Sequence, residues 1–165
     1  MKPADFIRKY KPFALETQQK TGISALFILA QAALESGWGK HAPGNMFFGV
    51  KASKNTPENK RQLLVTTEYL KTANARFPEI LSVTRLDSGI YKYRVKDWFR
   101  KYDTPEECFT DHAALFTRNI RYAKALEVKH NPFAFATAIA VAGYATAPGY
   151  AQSLHAVCRT VEQYF

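Results

Sequence analysis

The sequence predicts an α+β fold, a mainly helical body with a small antiparallel β lobe inserted in it, on three observations. Apolar residues recur at helical spacing up to residue 35 and again after residue 104, whereas the stretch 63–100 is rich in β-formers and alternates with a period of two. The helical segments also carry their own start signals, the firmest being the run TPEE at 104–107.

Residues 4–20, ADFIRKYKPFALETQQK, hold Phe6, Ile7, Tyr10, Phe13 and Leu15 among charges. This predicts an amphipathic helix, bent or re-started at Pro12 and stopped by Gly22. Residues 24–35, SALFILAQAALE, follow with Ser24 as N-cap and apolar residues on every face, the pattern of a helix through the middle of a core. At about 1.5 Å per residue this segment covers roughly 18 Å, too little for a bilayer. LLVTTEYL at 63–70, ILSVTRL at 80–86 and IYKYRVKDWF at 90–99 read as strands, the last two joined through an Asp87-Ser88-Gly89 turn. Thr104 as N-cap, Pro105 at the first helical position and Glu107 two residues on form a capping box, and Phe109, His112, Ala113 and Phe116 share one face. Further helices are expected at 121–129, at 132–142 after Asn131-Pro132, and at about 149–163.

A chain of 165 residues with 47% hydrophobic and 22% charged residues fits one soluble globular domain, 1–165, with the β lobe at about 62–100. No repeat, low-complexity tract or Gly/Ser linker divides it. The formal charge of +9 favours anionic partners, be they nucleic acid, acidic lipid or wall polymers. No membrane span is expected, and MKPADFIRKY lacks the apolar core and cleavage site of a secretory signal. Cys108 and Cys158 show no paired spacing; two buried free thiols are the expectation, with a single bridge as the alternative.

The chemistry concentrates in ALESGWGKHAPGNMFFGVKA, residues 33–52. Glu35 falls in the last turn of the buried helix, where unpaired carbonyls and poor solvation both disfavour the ionised form. That suits a general acid. A helix that simply ends with its carboxylate in water is the alternative on the same residues. Gly37 and Gly39 allow a sharp turn that presents Trp38 beside the acid, as a stacking face for a sugar ring or as a plug in the core. Acid-catalysed glycoside cleavage commonly recruits a second carboxylate. Glu68 in VTTEY is the best candidate because Thr66 and Glu68 share a strand face; Asp97, Glu106 and Glu107 are weaker. Gly-rich phosphate loops, HExxH, CxxC and GxSxG are all missing, and His41, His112, His130 and His155 have no ligand spacing. His112, on an apolar helix face, is expected as a hydrogen-bonded core or boundary residue.

With these residues assembled, the chain resembles the peptidoglycan-cleaving N-acetylglucosaminidases of glycoside hydrolase family 73, a family that includes a flagellar rod-cap hydrolase domain and several autolysins. ILAQAALESGWGK looks like the family's catalytic-acid helix and NMFFGVKA like its NNLFGIKA stretch. TTEY, FRKYDTPEECFTDHAALF and GYATAPGYAQSL follow in the family's order. The resemblance implies a lysozyme-like fold with the substrate groove flanked by the β lobe. It also implies Glu35 as general acid, Glu68 as second carboxylate and Tyr144 beside the reaction centre, with Trp38, Asn45, Phe48, Phe99 and Tyr150 as groove residues. The implied reaction is hydrolysis of the β-1,4 bond between N-acetylglucosamine and N-acetylmuramic acid by a monomer at the bacterial cell wall. It needs no metal or organic cofactor, and peptidoglycan glycan strands rather than nucleic acid are the partner. Two departures stand out: Ala147 replaces the family's usual Asp, and residues 71–89 form a longer insertion than the compact family hairpin. A lysozyme or lytic transglycosylase is the nearest alternative, although transglycosylases usually follow ES with a Gly-Leu-Met-Gln segment. A non-catalytic wall-binding or assembly module is the alternative from another class. A nucleic-acid binder would explain the charge but not ALESGWG, and the basic residues are dispersed.

Overall fold

The computed structural model describes residues 1–165 and divides the chain into two compact units, Met1–Phe48 with Tyr102–Phe165, and Gly49–Lys101. The first unit is helical. Helix α1, Pro3–Thr21, runs without a break through Pro12, which corrects the expected re-start. Pro12 is exposed, so water takes the carbonyl that its ring leaves unbonded. Gly22 ends the helix at φ 76° and donates its N–H to the Gln18 carbonyl.

Helix α2, Ala25–Ser36, starts where Ser24 Oγ accepts from the Phe27 N–H. Phe27, Leu29, Ala30, Ala32 and Ala33 are essentially inaccessible, and α1 packs directly on this helix. Helix α3, Pro105–Arg118, begins with Thr104 Oγ1 accepting from Glu107 N. Glu107 Oε2 reaches back to the N–H of Asp103, at 3.0 Å, one residue before the cap. Helices α4, Pro132–Val141, and α5, Tyr150–Tyr164, both pack on α2.

The segment 121–129 is not the expected α-helix. It forms two short 3₁₀ turns, Ile120–Tyr122 and Ala125–Val128. Asn119 Oδ1 caps the first turn by accepting from the Arg121 N–H, and Tyr122, Ala125 and the partly buried Leu126 hold the turns against the core. At the centre of the unit Phe27, Phe116 and Phe135 meet edge to face, with centroids 4.7–6.2 Å apart.

Cys108 and Cys158 are both buried free thiols, as expected. Burial pushes each up to about 12. Cys108 Sγ also receives the Phe47 N–H.

The second unit carries a three-stranded antiparallel sheet in the order β1 (Arg61–Leu70), β3 (Tyr91–Arg100), β2 (Glu79–Arg85). Gly89, at φ 81°, closes the β2–β3 hairpin by donating to the Leu86 carbonyl. Tyr93 and Val95 are fully buried on one face of β3, while Lys92 and Arg94 lie exposed on the other. The insertion after β1 is pinned from β3: Tyr93 Oη donates to the Thr72 carbonyl, accepts from the Ala75 N–H, and its ring lies 5.6 Å from Phe77.

Candidate active site

Glu35 stands in the last turn of α2, and the backbone beyond it turns back sharply. Gly37, Trp38 and Gly39 are all left-handed, at φ 58°, 56° and 79°. Gly37 and Gly39 adopt this conformation freely, whereas Trp38 is held there at a cost of about 1–2 kcal/mol. Buried Ser36 supplies part of the restraint: its hydroxyl donates to the Ala32 carbonyl at 2.5 Å and accepts from the Gly39 N–H at 2.9 Å. The Trp38 N–H and the Gly37 N–H both reach the Ala33 carbonyl. Ser36→Ala is therefore expected to lower stability by about 1 kcal/mol, read from urea unfolding, because it leaves the partly buried Gly39 N–H without its partner.

The structure corrects one premise of the sequence reading. Glu35 is exposed rather than enclosed in apolar surroundings. The last turn of α2 is buried on the side of Ala33 and Ser36 and open to solvent on the side of Glu35. Trp38 is partly buried, its ring edge-on to Phe6 at 5.6 Å. It therefore braces the turn against the core as well as lying next to the acid in sequence.

Five side chains from α2, α3, α5 and the loop before α5 join in one hydrogen-bonded chain. Tyr150 Oη donates to Glu35 Oε1 at 3.0 Å and accepts from Gln31 Nε2 at 3.2 Å. Gln31 Oε1 lies 3.1 Å from His112 Nε2, which is in turn 3.1 Å from Tyr144 Oη. Phe48 stacks on the imidazole at 3.8 Å, and the Tyr144 and Tyr150 rings stack at 5.5 Å. Burial, with Asp111 opposing, pushes His112 down to about 4, so the ring is neutral at physiological pH. Burial chiefly, with Glu35 nearby, pushes both tyrosines above their ordinary range, so both remain hydroxyl donors. Of the residues singled out in the sequence, the structure thus brings Glu35, Tyr144, Tyr150 and Phe48 into one cluster. His112 is the hydrogen-bonded boundary residue expected.

Asn45 shapes its own turn. At φ 57° its side-chain amide donates to the Tyr102 carbonyl, and the Tyr102 N–H returns to the Gly44 carbonyl, so this residue holds the turn before Phe47 in shape.

In the β unit, Glu68 lies on β1 opposite Tyr93, and Phe99 is nearly buried on β3. Lys51 Nζ sits 2.7 Å from Glu68 and 2.9 Å from Asp97, so one ammonium bridges two carboxylates. Burial disfavours the charged Lys51, but its bonds to Glu68 and Asp97 outweigh that and hold it above the ordinary lysine value. Glu106, one of the weaker candidates, is committed to Lys20 at 2.7 Å and to Thr110. No three His, Cys, Asp or Glu side chains gather as metal ligands, and no helix is long and apolar enough to cross a membrane.

Sequence reasoning missed Gln31 and Lys51 as site residues. The signal for Gln31 was present: it is the lone polar residue inside ALFILAQAALE, four positions before Glu35 and so on the same helix face. Lys51 carries no comparable mark, because its partners lie 17 and 46 residues away.

Residues 11–163 match the model of the glucosaminidase family, described as mannosyl-glycoprotein endo-beta-N-acetylglucosaminidase. The chain is 38% identical to peptidoglycan hydrolase FlgJ of Escherichia coli K12 over 150 residues, which is 87% of this chain and 41% of that protein. It is 32% identical to exo-glucosaminidase LytG of Bacillus subtilis, over 96% of this chain and 50% of that protein. The chain therefore spans half or less of the length of these curated relatives. A solved, C-terminally truncated glycoside hydrolase domain of FlgJ from Salmonella typhimurium superposes with a TM-score of 0.74 at 31% identity, covering 98% of this chain and 99% of that one. With residues 11–163 matching the family model and nearly the whole chain superposing on a solved glycoside hydrolase domain, this chain belongs to the glucosaminidase family, glycoside hydrolase family 73.

Proposed function

We propose that the chain is an endo-β-N-acetylglucosaminidase of peptidoglycan, hydrolysing the β-1,4 bond between N-acetylglucosamine and N-acetylmuramic acid with Glu35 as general acid. The observation that carries this reading is the setting of Glu35. It stands at the end of a buried helix on its exposed side, with one carboxylate oxygen fixed by Tyr150 and the group open to solvent. In this reading Glu35 enters the reaction as the carboxylic acid, with its proton toward a sugar seated over it. Donation of that proton to the glycosidic oxygen then assists departure of the leaving sugar.

We assign the second carboxylate to Glu68. Its pairing with Lys51 supports a role as an anion, which either stabilises positive charge at the anomeric carbon or activates water. Glu68→Gln is expected to slow sugar release by about 10²-fold, measured as new reducing ends per unit time on purified peptidoglycan. Unchanged activity would remove Glu68 from the reaction. The chain's +9 charge supports attraction to an anionic wall at the cell surface, an attraction that salt weakens.

Mass spectrometry of borohydride-reduced digestion products tests the reaction itself. Reduced N-acetylglucosamine ends support the proposal. Reduced muramic acid ends indicate a lysozyme, 1,6-anhydro ends a lytic transglycosylase, and the lack of soluble product a wall-binding module.

A further inference from the structure

With Glu35 ionised, the hydrogen-bonded chain around it has one consistent set of donor directions. An ionised Glu35 only accepts, so the single Tyr150 hydroxyl proton points to Oε1. The Tyr150 oxygen must then accept from Gln31, which therefore turns its Nε2 toward Tyr150 and its Oε1 toward His112. A carbonyl oxygen 3.1 Å from a ring nitrogen requires a proton on that nitrogen, so His112 is the Nε2–H tautomer. The depression of His112 to about 4 agrees: the ring is neutral and carries one N–H. Tyr144 Oη faces the same Nε2, meets an N–H there, and cannot donate to it. Its own proton is left for another acceptor.

We infer that Gln31 and His112 are positioning residues that set these directions, so that the Tyr150 hydroxyl stays aimed at Oε1, the proton that Glu35 takes up goes to Oε2, and Tyr144 keeps its hydroxyl proton for a substrate oxygen. The inference rests on the reading of Glu35 as general acid. In the reaction, the C1–O bond breaks with its electron pair going to the glycosidic oxygen, which takes the proton from Oε2. Glu35 becomes a carboxylate whose Oε1 already holds the Tyr150 hydrogen bond. Gln31 links Glu35 and Tyr144 without touching substrate. It bonds Tyr150 on one side and His112 on the other, so the acid's orientation and the direction of the Tyr144 hydroxyl are settled together.

The histidine tautomer is readable in the free protein. In long-range ¹H–¹⁵N spectra at neutral pH, with the signal assigned by its loss in His112→Gln, His112 is expected to show a protonated Nε2 and a bare Nδ1. An Nδ1–H ring or a doubly protonated ring overturns the inference. In Gln31→Met, a near-isosteric change, Nε2 loses its acceptor. His112 is expected to shift toward the Nδ1–H tautomer and to accept the Tyr144 proton, and kcat is expected to fall about tenfold with KM within about twofold. An unchanged tautomer, or a change in KM alone, overturns the positioning role, and the thermal midpoint recorded alongside separates this from unfolding. An Nε2–H His112 in a protein that releases no sugar from peptidoglycan upholds the hydrogen-bond directions and overturns the hydrolase reading alone.

Discussion

Glu35→Gln is expected to reduce kcat for peptidoglycan cleavage by about 10³-fold or more while leaving the thermal midpoint unchanged. The amide has the shape of the carboxyl group, and its oxygen still accepts the Tyr150 hydroxyl, so the cluster around it persists. What it lacks is a proton that can leave. Because Glu35 is exposed and forms no ion pair, its replacement removes little that holds the fold. Release of reduced sugar ends, followed by chromatography with mass detection, measures the activity, and circular dichroism measures the fold. Activity near that of the unsubstituted chain would end the case for Glu35 as the acid.

Phe116→Ala carries the largest expected loss of stability, about 3–5 kcal/mol. The ring is buried on α3 and is shared by five others: Phe27, His112, Tyr122, Phe135 and Tyr144. Few of these neighbours can collapse into the space it leaves, since Phe27 and Phe135 are themselves locked edge to face. The thermal midpoint is expected to fall by roughly 10 °C. Leu115, the exposed neighbour on the same helix, serves as control: Leu115→Ala should cost about 0.5 kcal/mol or less. Loss of the ring also removes the floor beneath His112 and Tyr144, so residual activity at low temperature should drop further than the folded fraction does. Equal falls in both would show that Phe116 acts on the fold alone.

Much of the architecture was legible because its determinants are local. Ser24, Thr104 and Asn131 each cap the helix that follows them, and the Asp87-Ser88-Gly89 turn closes the hairpin it was expected to close. Alternation placed three strands before any pairing was known. Local signals failed at 121–129, where the chain forms two 3₁₀ turns whose apolar residues Tyr122, Ala125 and Leu126 are set against the core by tertiary packing. They failed again on the exposure of Glu35, since α2 is apolar on every face and periodicity cannot pick out which side of its last turn meets solvent. The site was half legible in the same sense. A carboxylate next to Gly-Trp-Gly marks itself, whereas the bonds that orient it come from Gln31, His112 and Tyr150, whose separations reach 119 residues.

The two buried thiols give the chain an indifference to its redox surroundings. With no bridge to form, folding consumes no oxidant, and the native state is the same molecule in a reducing or an oxidising compartment. Held as thiols up to about 12 and enclosed in the helical unit, Cys108 and Cys158 offer no nucleophile to a passing disulfide or alkylating reagent. They become reactive only when the core around α3 and α5 opens, so the rate at which a thiol reagent labels the protein is a clock for that opening.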